Sequence, residues 1–302
     1  MWDSPDPRDV DRRDRDARDA RTPDMTDPRD VFTRDLDLPR GLGRERVHVH
    51  GRDYDLRGSE VRTLATIGAF RVVPLDDLRD AKGHEADLWH GDLERLRAAG
   101  LVRAVAFLDR ENGTTVVTLT AHGREVLETH RSRDREPTQT FYAGAVKARE
   151  LTHDAQLHRA YLRTAERLQR EGARVGRVVL DYELKREYQR FLQDRNRERS
   201  DSDGRPTRTR DEIKDWADAH DLPIVQDRVR FPDFRIEYER PDGRREIENV
   251  EVTTTHYRGL HASSKVAAGF TRYRGSTGRV GGGGHRGSSA PFDPRTAEEL
   301  LK

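Results

Sequence analysis

The chain contains no cysteine, so disulfides and thiolate zinc sites are excluded. It has only six lysines among 57 basic residues, and arginine carries nearly all of the positive charge. Arginine's planar fork suits phosphate, although a compositional preference for arginine produces the same pattern. Apolar residues make up only 33% of the chain, against 37% charged residues. No apolar run approaches the length of a membrane span, and no secretory apolar region opens the sequence. These absences predict a soluble, cytoplasmic protein with no membrane partner. No phosphate-binding glycine loop of Walker type is present, and no Ser–His–Asp spacing stands out. The formal net charge of +1 says little about partners, because the charges are unevenly distributed.

What the sequence does contain divides into four stretches. Residues 1–45 alternate Asp and Arg, with 21 of the first forty residues being one or the other. So few apolar side chains cannot offset the entropy of ordering, which predicts a disordered tail. "DPRDV" occurs twice within it. Residues 57–133 have the pattern of a folded domain. "SEVRTLATIGAFRVV" starts at a Ser59 cap and puts Val61, Leu64, Ala65 and Gly68 on one helical face. "PLDDLRDAK" predicts a second helix. "EADLWHGDLERLRAAG" predicts a third, with Ala86, Trp89, Leu93 and Leu96 inward. "LVRAVAFL" and "TTVVTLT", joined by "DRENG", predict a hairpin, and "AHGREVLETHR" a closing helix.

Three helices and a two-stranded hairpin form the plan of a winged helix-turn-helix domain. The third helix of that plan enters the major groove, and the hairpin tip touches phosphate or minor groove. The DNA-binding candidates are therefore His90, Arg95 and Arg97 on the third helix, with Arg103, Arg110 and Asn112 on the wing. The same helix also carries Glu85, Asp87, Asp92 and Glu94, which would repel phosphate.

Residues 137–274 predict a second domain. Thr152 is the expected cap of a helix with Leu157, Tyr161, Ala165 and Leu168 on one face. Gly172 stops it, and "RVGRVVL" forms a strand. Asp181 caps a further helix, and "DEIKDWADAH" is a short one. The stretch "FPDFRIEYERPDGRREIENVEVTT" then reads as a hairpin. Pro241-Asp242 suits a type I turn, and Gly243 the left-handed residue of a bulge. That turn pairs Arg240 with Arg244, Phe234 with Val250 and Asp233 with Glu251. It also sets Ile236 opposite Glu248. A two-residue turn would instead oppose Phe234 and Glu251. In the bulged register the carboxylates of Asp233 and Glu251 belong to neighbours whose Cβ atoms lie about 5 Å apart. Two like charges so close favour a cation between them, and Mg²⁺ takes one or two carboxylates plus waters and phosphate.

Two resemblances follow from these motifs. "DLERLRAAGLVRAVAF" with "NGTTVVTLTAHGREVLETH" resembles the recognition helix, wing and closing helix of MarR-like regulators. It is still more similar to the N-terminal half of the replication-relaxation family of plasmid and mobile-element proteins. Pro232-Asp233 and Glu251 resemble the PD-(D/E)xK nuclease core, with Thr253 where that core has Lys. The replication-relaxation resemblance covers roughly residues 58–274 and implies a Pro-Asp strand, a Glu strand and a Lys-then-Tyr helix. Those positions are Asp233, Glu251, Lys265 and Tyr273 here. The resemblance implies DNA binding in replication, mobilisation or maintenance of such an element, around a nuclease-like core that has lost its chemistry. Asp233 and Glu251 are the candidate metal ligands, with Lys265 as their catalytic partner, Mg²⁺ as the candidate cofactor, and Glu183 or Glu187 as a third acid.

The expected fold class is α+β: a winged helix, then a small mixed α/β restriction-endonuclease-like domain, between disordered tails at 1–45 and 275–302. The C-terminal stretch interleaves Phe270 and Tyr273 with Arg272 and Arg274, a composition that suits nucleic-acid contact as well as a plain linker. His153, Asp154 and His158 sit near one helix start without ligand spacing, and His256 and His261 follow the second carboxylate. Three alternatives stay open: an active Mg²⁺-dependent endonuclease, a transcription regulator using the winged helix alone, and a scaffold or homodimer using that domain for protein contact.

Overall fold

Alternation begins ahead of the expected domain at 57–133. In "RVHVHGRDYDL", Val47, Val49, Tyr54 and Leu56 are buried between exposed neighbours. They form a hairpin of β1 (Glu45–Val49) and β2 (Arg52–Leu56), closed at His50-Gly51 with φ of 46° and 80°. Two positive φ values make the tight turn whose twist matches the strands. The computed structural model describes residues 29–80, 84–109, 112–132, 138–144, 148–196, 208–253 and 268–275. Within that range Asp30–Thr33 is a 3₁₀ turn, and Val31, Phe32, Leu36 and Leu38 are buried. Part of the segment expected as tail is therefore folded, because these four side chains supply apolar burial that the Asp/Arg repeats lack. Residues 1–28 and 276–302 lie outside the described residues.

Helix α1 (Gly58–Ala69) buries Val61, Leu64, Ala65 and Gly68, the expected face. Its cap is Arg57 rather than Ser59, and Glu60 accepts the Arg57 N–H at 3.1 Å. The short β3 (Val73–Pro74) follows. The second expected helix is only a 3₁₀ turn at Leu75–Asp77, after which the chain extends to bury Leu78. The third, α2 (Gly91–Ala98), starts six residues later than the expected Glu85. Asp87 Oδ1 accepts the Trp89 N–H at 2.7 Å and turns the chain, while Gly91 takes a left-handed φ of 74°. A helix cannot run through that pair of features. Strands β4 (Val102–Asp109) and β5 (Asn112–Leu119) pair antiparallel, and the sheet order is β3-β5-β4. Helix α3 (Ala121–Thr129) is capped by Thr120, whose hydroxyl accepts from Gly123 N at 3.1 Å.

The second half begins with α4 (Ala148–Arg170), so Thr152 lies inside the helix and not at its cap. Next come β6 (Arg174–Leu180), α5 (Asp181–Gln193) and α6 (Arg210–Ala219). The cap of α5 is Leu180, and Asp181 is its first helical residue. Short β7 (Ile224–Val225) and β8 (Arg228–Val229) lead to β9 (Phe234–Glu239), β10 (Arg245–Thr253) and β11 (Thr271–Arg274). The sheet order is β11-β10-β9-β6, with β10 and β11 parallel and the other pairs antiparallel. The protein is thus mixed α+β, with six α-helices among the described residues.

Tyr161 of α4 is completely buried, with its ring 5.3 Å from Phe32 and 5.1 Å from Phe70. The same helix lays Leu157, Ala165 and Leu168 into the cluster that holds Phe234, Ile236, Val250 and Val252 of the second sheet. One apolar core therefore runs from the N-terminal turn through α1 to the four-stranded sheet. Tyr161→Ala is expected to destabilise the protein by about 3–5 kcal/mol, the cost of emptying an aromatic site in a packed core. Urea unfolding followed by fluorescence and by far-UV circular dichroism should show one transition, lowered as a whole in the variant.

Candidate nucleic-acid interface and carboxylate site

The hairpin turn settles the register question. Gly243 has a φ of 82°, its N–H bonds Arg240 O at 2.9 Å, and Arg240 N bonds Arg244 O at 2.8 Å. Phe234 pairs with Val250 and Ile236 with Glu248, as the bulged turn requires. Glu248, set among apolar neighbours by this register, is met by the guanidinium of Arg167 from α4.

Pairing of β9 with β10 stops at Phe234–Val250, one step short of Asp233 and Glu251. The residue that would face Val252 is Pro232, and proline has no N–H to give the ladder. Asp233 closes the end instead. Its N–H bonds Val250 O at 3.0 Å, and its Oδ2 accepts the Val252 N–H at 2.8 Å. Its carbonyl accepts from Asp181 N at 3.1 Å, which joins the start of α5 to the same point. Asp233 is 7% exposed and Glu251 2% exposed. Both candidate carboxylates are buried at one end of the sheet, and that of Asp233 terminates a strand.

The neighbours of Asp233 come from α4. His153 Nε2 lies 3.5 Å from Asp233 Oδ1. The next residue, Asp154, is buried and has its Oδ2 3.5 Å from Arg71 Nη1. Burial pushes the Asp154 carboxyl up to about 6, Arg71 and His153 pull it down, and Asp181 and Glu150 push it up. His158 is fully buried against Phe70, and burial drives its imidazole down to about 3, so it is neutral at ordinary pH. His153 and Asp154 drew no metal role from the sequence, because their spacing along α4 carries no ligand signature; the packing of α4 across the sheet end brings His153 to Asp233.

The other candidates are scattered. Glu183 Oε1 faces Arg177 at 3.4 Å and its Oε2 accepts from Tyr142 OH at 3.4 Å, so this acid is engaged away from Asp233. The Thr253 hydroxyl, at the position expected to carry Lys, donates to Tyr273 O at 3.2 Å. Tyr273 is on strand β11, not on a helix, because "TRYR" alternates and only its tyrosine turns inward. Lys265, His256 and His261 lie outside the described residues. Among the described residues, no group of three or more His, Asp or Glu side chains converges in a metal-holding arrangement. Two carboxylates with water and phosphate still match the donor chemistry that Mg²⁺ accepts.

On the N-terminal half, α2 packs beside α1 and leads into the β4–β5 hairpin. Its acidic character is reduced by pairing. Asp92 is buried and accepts from Arg57 Nε at 3.1 Å. Asp87 accepts the Trp89 N–H and has its Oδ2 3.2 Å from His90 Nδ1, contacts that hold its carboxyl below the usual range. His90 and Arg95 are exposed and Arg97 is half-buried. The guanidinium of Arg97 lies 4.6 Å from the Trp89 ring centroid. Trp89 itself is 67% exposed, against the expectation that it faces the core, because α2 begins only after it. Arg103 is half-buried on β4 opposite Thr118. Arg110 lies outside the described residues, and Asn112 opens β5. Arg272 and Arg274 are exposed on β11. No helix among the described residues is long and apolar enough to cross a membrane.

The raised Asp154 has a consequence for pH. Between about pH 4 and 6 the folded chain holds a proton there that the unfolded chain has released, so this group's contribution to stability falls as pH rises through that window. Asp154→Asn removes the dependence. Its stability relative to the parent should improve by roughly 2–3 kcal/mol between pH 4 and pH 7, as read from urea titrations at both values.

No family model, no curated protein and no solved structure matches the chain.

Proposed function

We propose that the protein binds DNA through a winged helix formed by α1, the Leu75–Asp77 turn, α2 and the β4–β5 hairpin. What supports this is the order helix, short strand, turn, helix and hairpin, with β3 completing the sheet. The observation that carries the reading is the state of α2's charges. Asp92 is drawn inward to Arg57, while Arg95 stands in solvent and Arg97 borders it. Of the four acids that counted against phosphate contact, Asp92 is thereby paired and turned inward, while Glu85 and Asp87 stay exposed and Glu94 half-buried. The resemblance to the replication-relaxation family extends this to a role in replication, mobilisation or maintenance of a plasmid-like element.

In this reading the C-terminal sheet is a restriction-endonuclease-like core that supports the fold without cutting. Three antiparallel strands with a fourth parallel to the third, a helix ahead of them and an acid at the Pro-Asp step match such a core. What favours the non-cleaving version is that Asp233 ends a strand and Thr253 replaces the lysine with a hydroxyl tied to Tyr273. The competing reading is a Mg²⁺-dependent nuclease, in which Asp233 and Glu251 hold the ion and the ion activates water and stabilises the leaving oxygen.

Affinity for a DNA duplex, measured by fluorescence anisotropy, should fall steeply between 50 and 200 mM salt. Arg95→Ala should weaken it and lower the slope of log K against log salt by about one phosphate's worth, near 0.9. Salt-independent or absent binding overturns the reading. Supercoiled plasmid incubated with the protein and Mg²⁺ should stay intact. Nicking that disappears in Asp233→Ala would instead establish the nuclease.

A further inference from the structure

Trp89 is the side chain whose position the proposed DNA contact does not explain. It is 67% exposed, on the turn immediately before α2, at the edge of the surface assigned to DNA. Tryptophan is costly to leave in water, and here it is also held in place. Asp87 Oδ1 takes its backbone N–H at 2.7 Å. Arg97 sits over the ring at 4.6 Å and is itself anchored by Nε donating to Leu88 O at 3.3 Å. The indole therefore stands beside a cation that is fixed to the protein.

The surroundings say what kind of partner suits this ring. A protein-docking site would gather several apolar side chains around an aromatic anchor. The other large exposed hydrophobic residues are Leu42, Tyr182, Ile224 and Ile247, none of them on the segment from His84 to Gly100. Of the charged residues on this segment, Arg97 lies against the ring, Asp87 is committed to Trp89 and His90, and Glu85, Glu94 and Arg95 complete the surface. A lone aromatic surface with a fixed guanidinium beside it fits a nucleobase stacked on the ring with its phosphate paired to that cation. Bases in an intact duplex are already stacked on their neighbours, so a ring of this kind gains most from a base that is unpaired.

We infer that Trp89 is a stacking platform for an unpaired base, and that the protein prefers forked or single-stranded DNA to intact duplex. This deepens the DNA-binding reading and rests on it. The partner is a base at a melted or single-stranded position, with its flanking phosphates held by Arg95 and Arg97.

The test uses the full chain with three labelled DNAs, a duplex, a single strand and a fork, and follows anisotropy at constant salt. Trp89→Ala should lose about 10- to 100-fold affinity for the fork and single strand, the range of one base–aromatic stack, while duplex affinity changes less than threefold. Trp89→Phe should recover most of the loss. Tryptophan emission of the parent should be quenched by the fork, with the larger part of that quenching gone in Trp89→Ala, where only Trp2 and Trp216 remain. Equal losses on all three DNAs, or none, overturn the inference without overturning the DNA-binding reading. Failure of the parent to bind any DNA removes the DNA-binding reading and this one together. A Trp89-dependent dimer in sedimentation, with DNA affinities unchanged, reassigns the ring to contact between copies of the chain.

Discussion

Burial of the Tyr161 ring between Phe32 and Phe70 is the interaction on which the rest of the molecule depends. It makes α4 common to two sheets that the sequence alone would assign to separate domains. The face that carries Tyr161 also carries Leu157, Ala165 and Leu168 onto the four-stranded sheet. Ion pairs across the same junction are short, with Arg159 Nε 2.5 Å from Asp77 Oδ2 and Arg71 Nη1 3.5 Å from Asp154 Oδ2. A charged surface over one continuous apolar core explains how the described residues pack together in a chain with so little apolar content.

That shared helix also brings a polar group to the end of the β9–β10 ladder. His153 approaches Asp233, and Tyr161, two turns further along, is anchored in the core. The result is a buried ionisable cluster in which one carboxylate closes a strand, burial pushes a second, Asp154, up to about 6, and Arg71, just after α1, faces it. Burial of charge at this point has a cost in stability, and Arg71 links the N-terminal half of the molecule to α4 through Asp154. A site made in this way serves architecture first. Any chemistry at Asp233 has to compete with its bond to Val252.

The surface of α2 shows how pairing changes the meaning of a charge count. Read along the chain, the expected helix has four acids against two arginines, which argues against phosphate contact. In space, Asp92 turns inward to Arg57 and Asp87 is spent on the turn that precedes the helix. The arginines stay outside. The same turn delays the helix start, and that delay moves Trp89 from an expected core position to solvent.

Much of the local structure was legible in residue order. Turn chemistry at Pro241-Asp242-Gly243 determined the β9–β10 register, since only a left-handed residue after a type I turn brings Phe234 opposite Val250. The hairpin of β4 and β5 and the inward face of α4 followed from periods of two and 3.6. The missed β1–β2 hairpin had a signal in its strict alternation and its His-Gly turn. Tertiary structure alone decided the remainder. It shortened the second helix to a single turn, because burying Leu78 outweighs weak helix propensity. It made the Pro-Asp step a strand end, with the Asp233 carboxylate accepting the Val252 N–H in place of a backbone carbonyl. It brought His153 to Asp233 from eighty residues away, a juxtaposition set by packing angles for which a linear sequence holds no local sign.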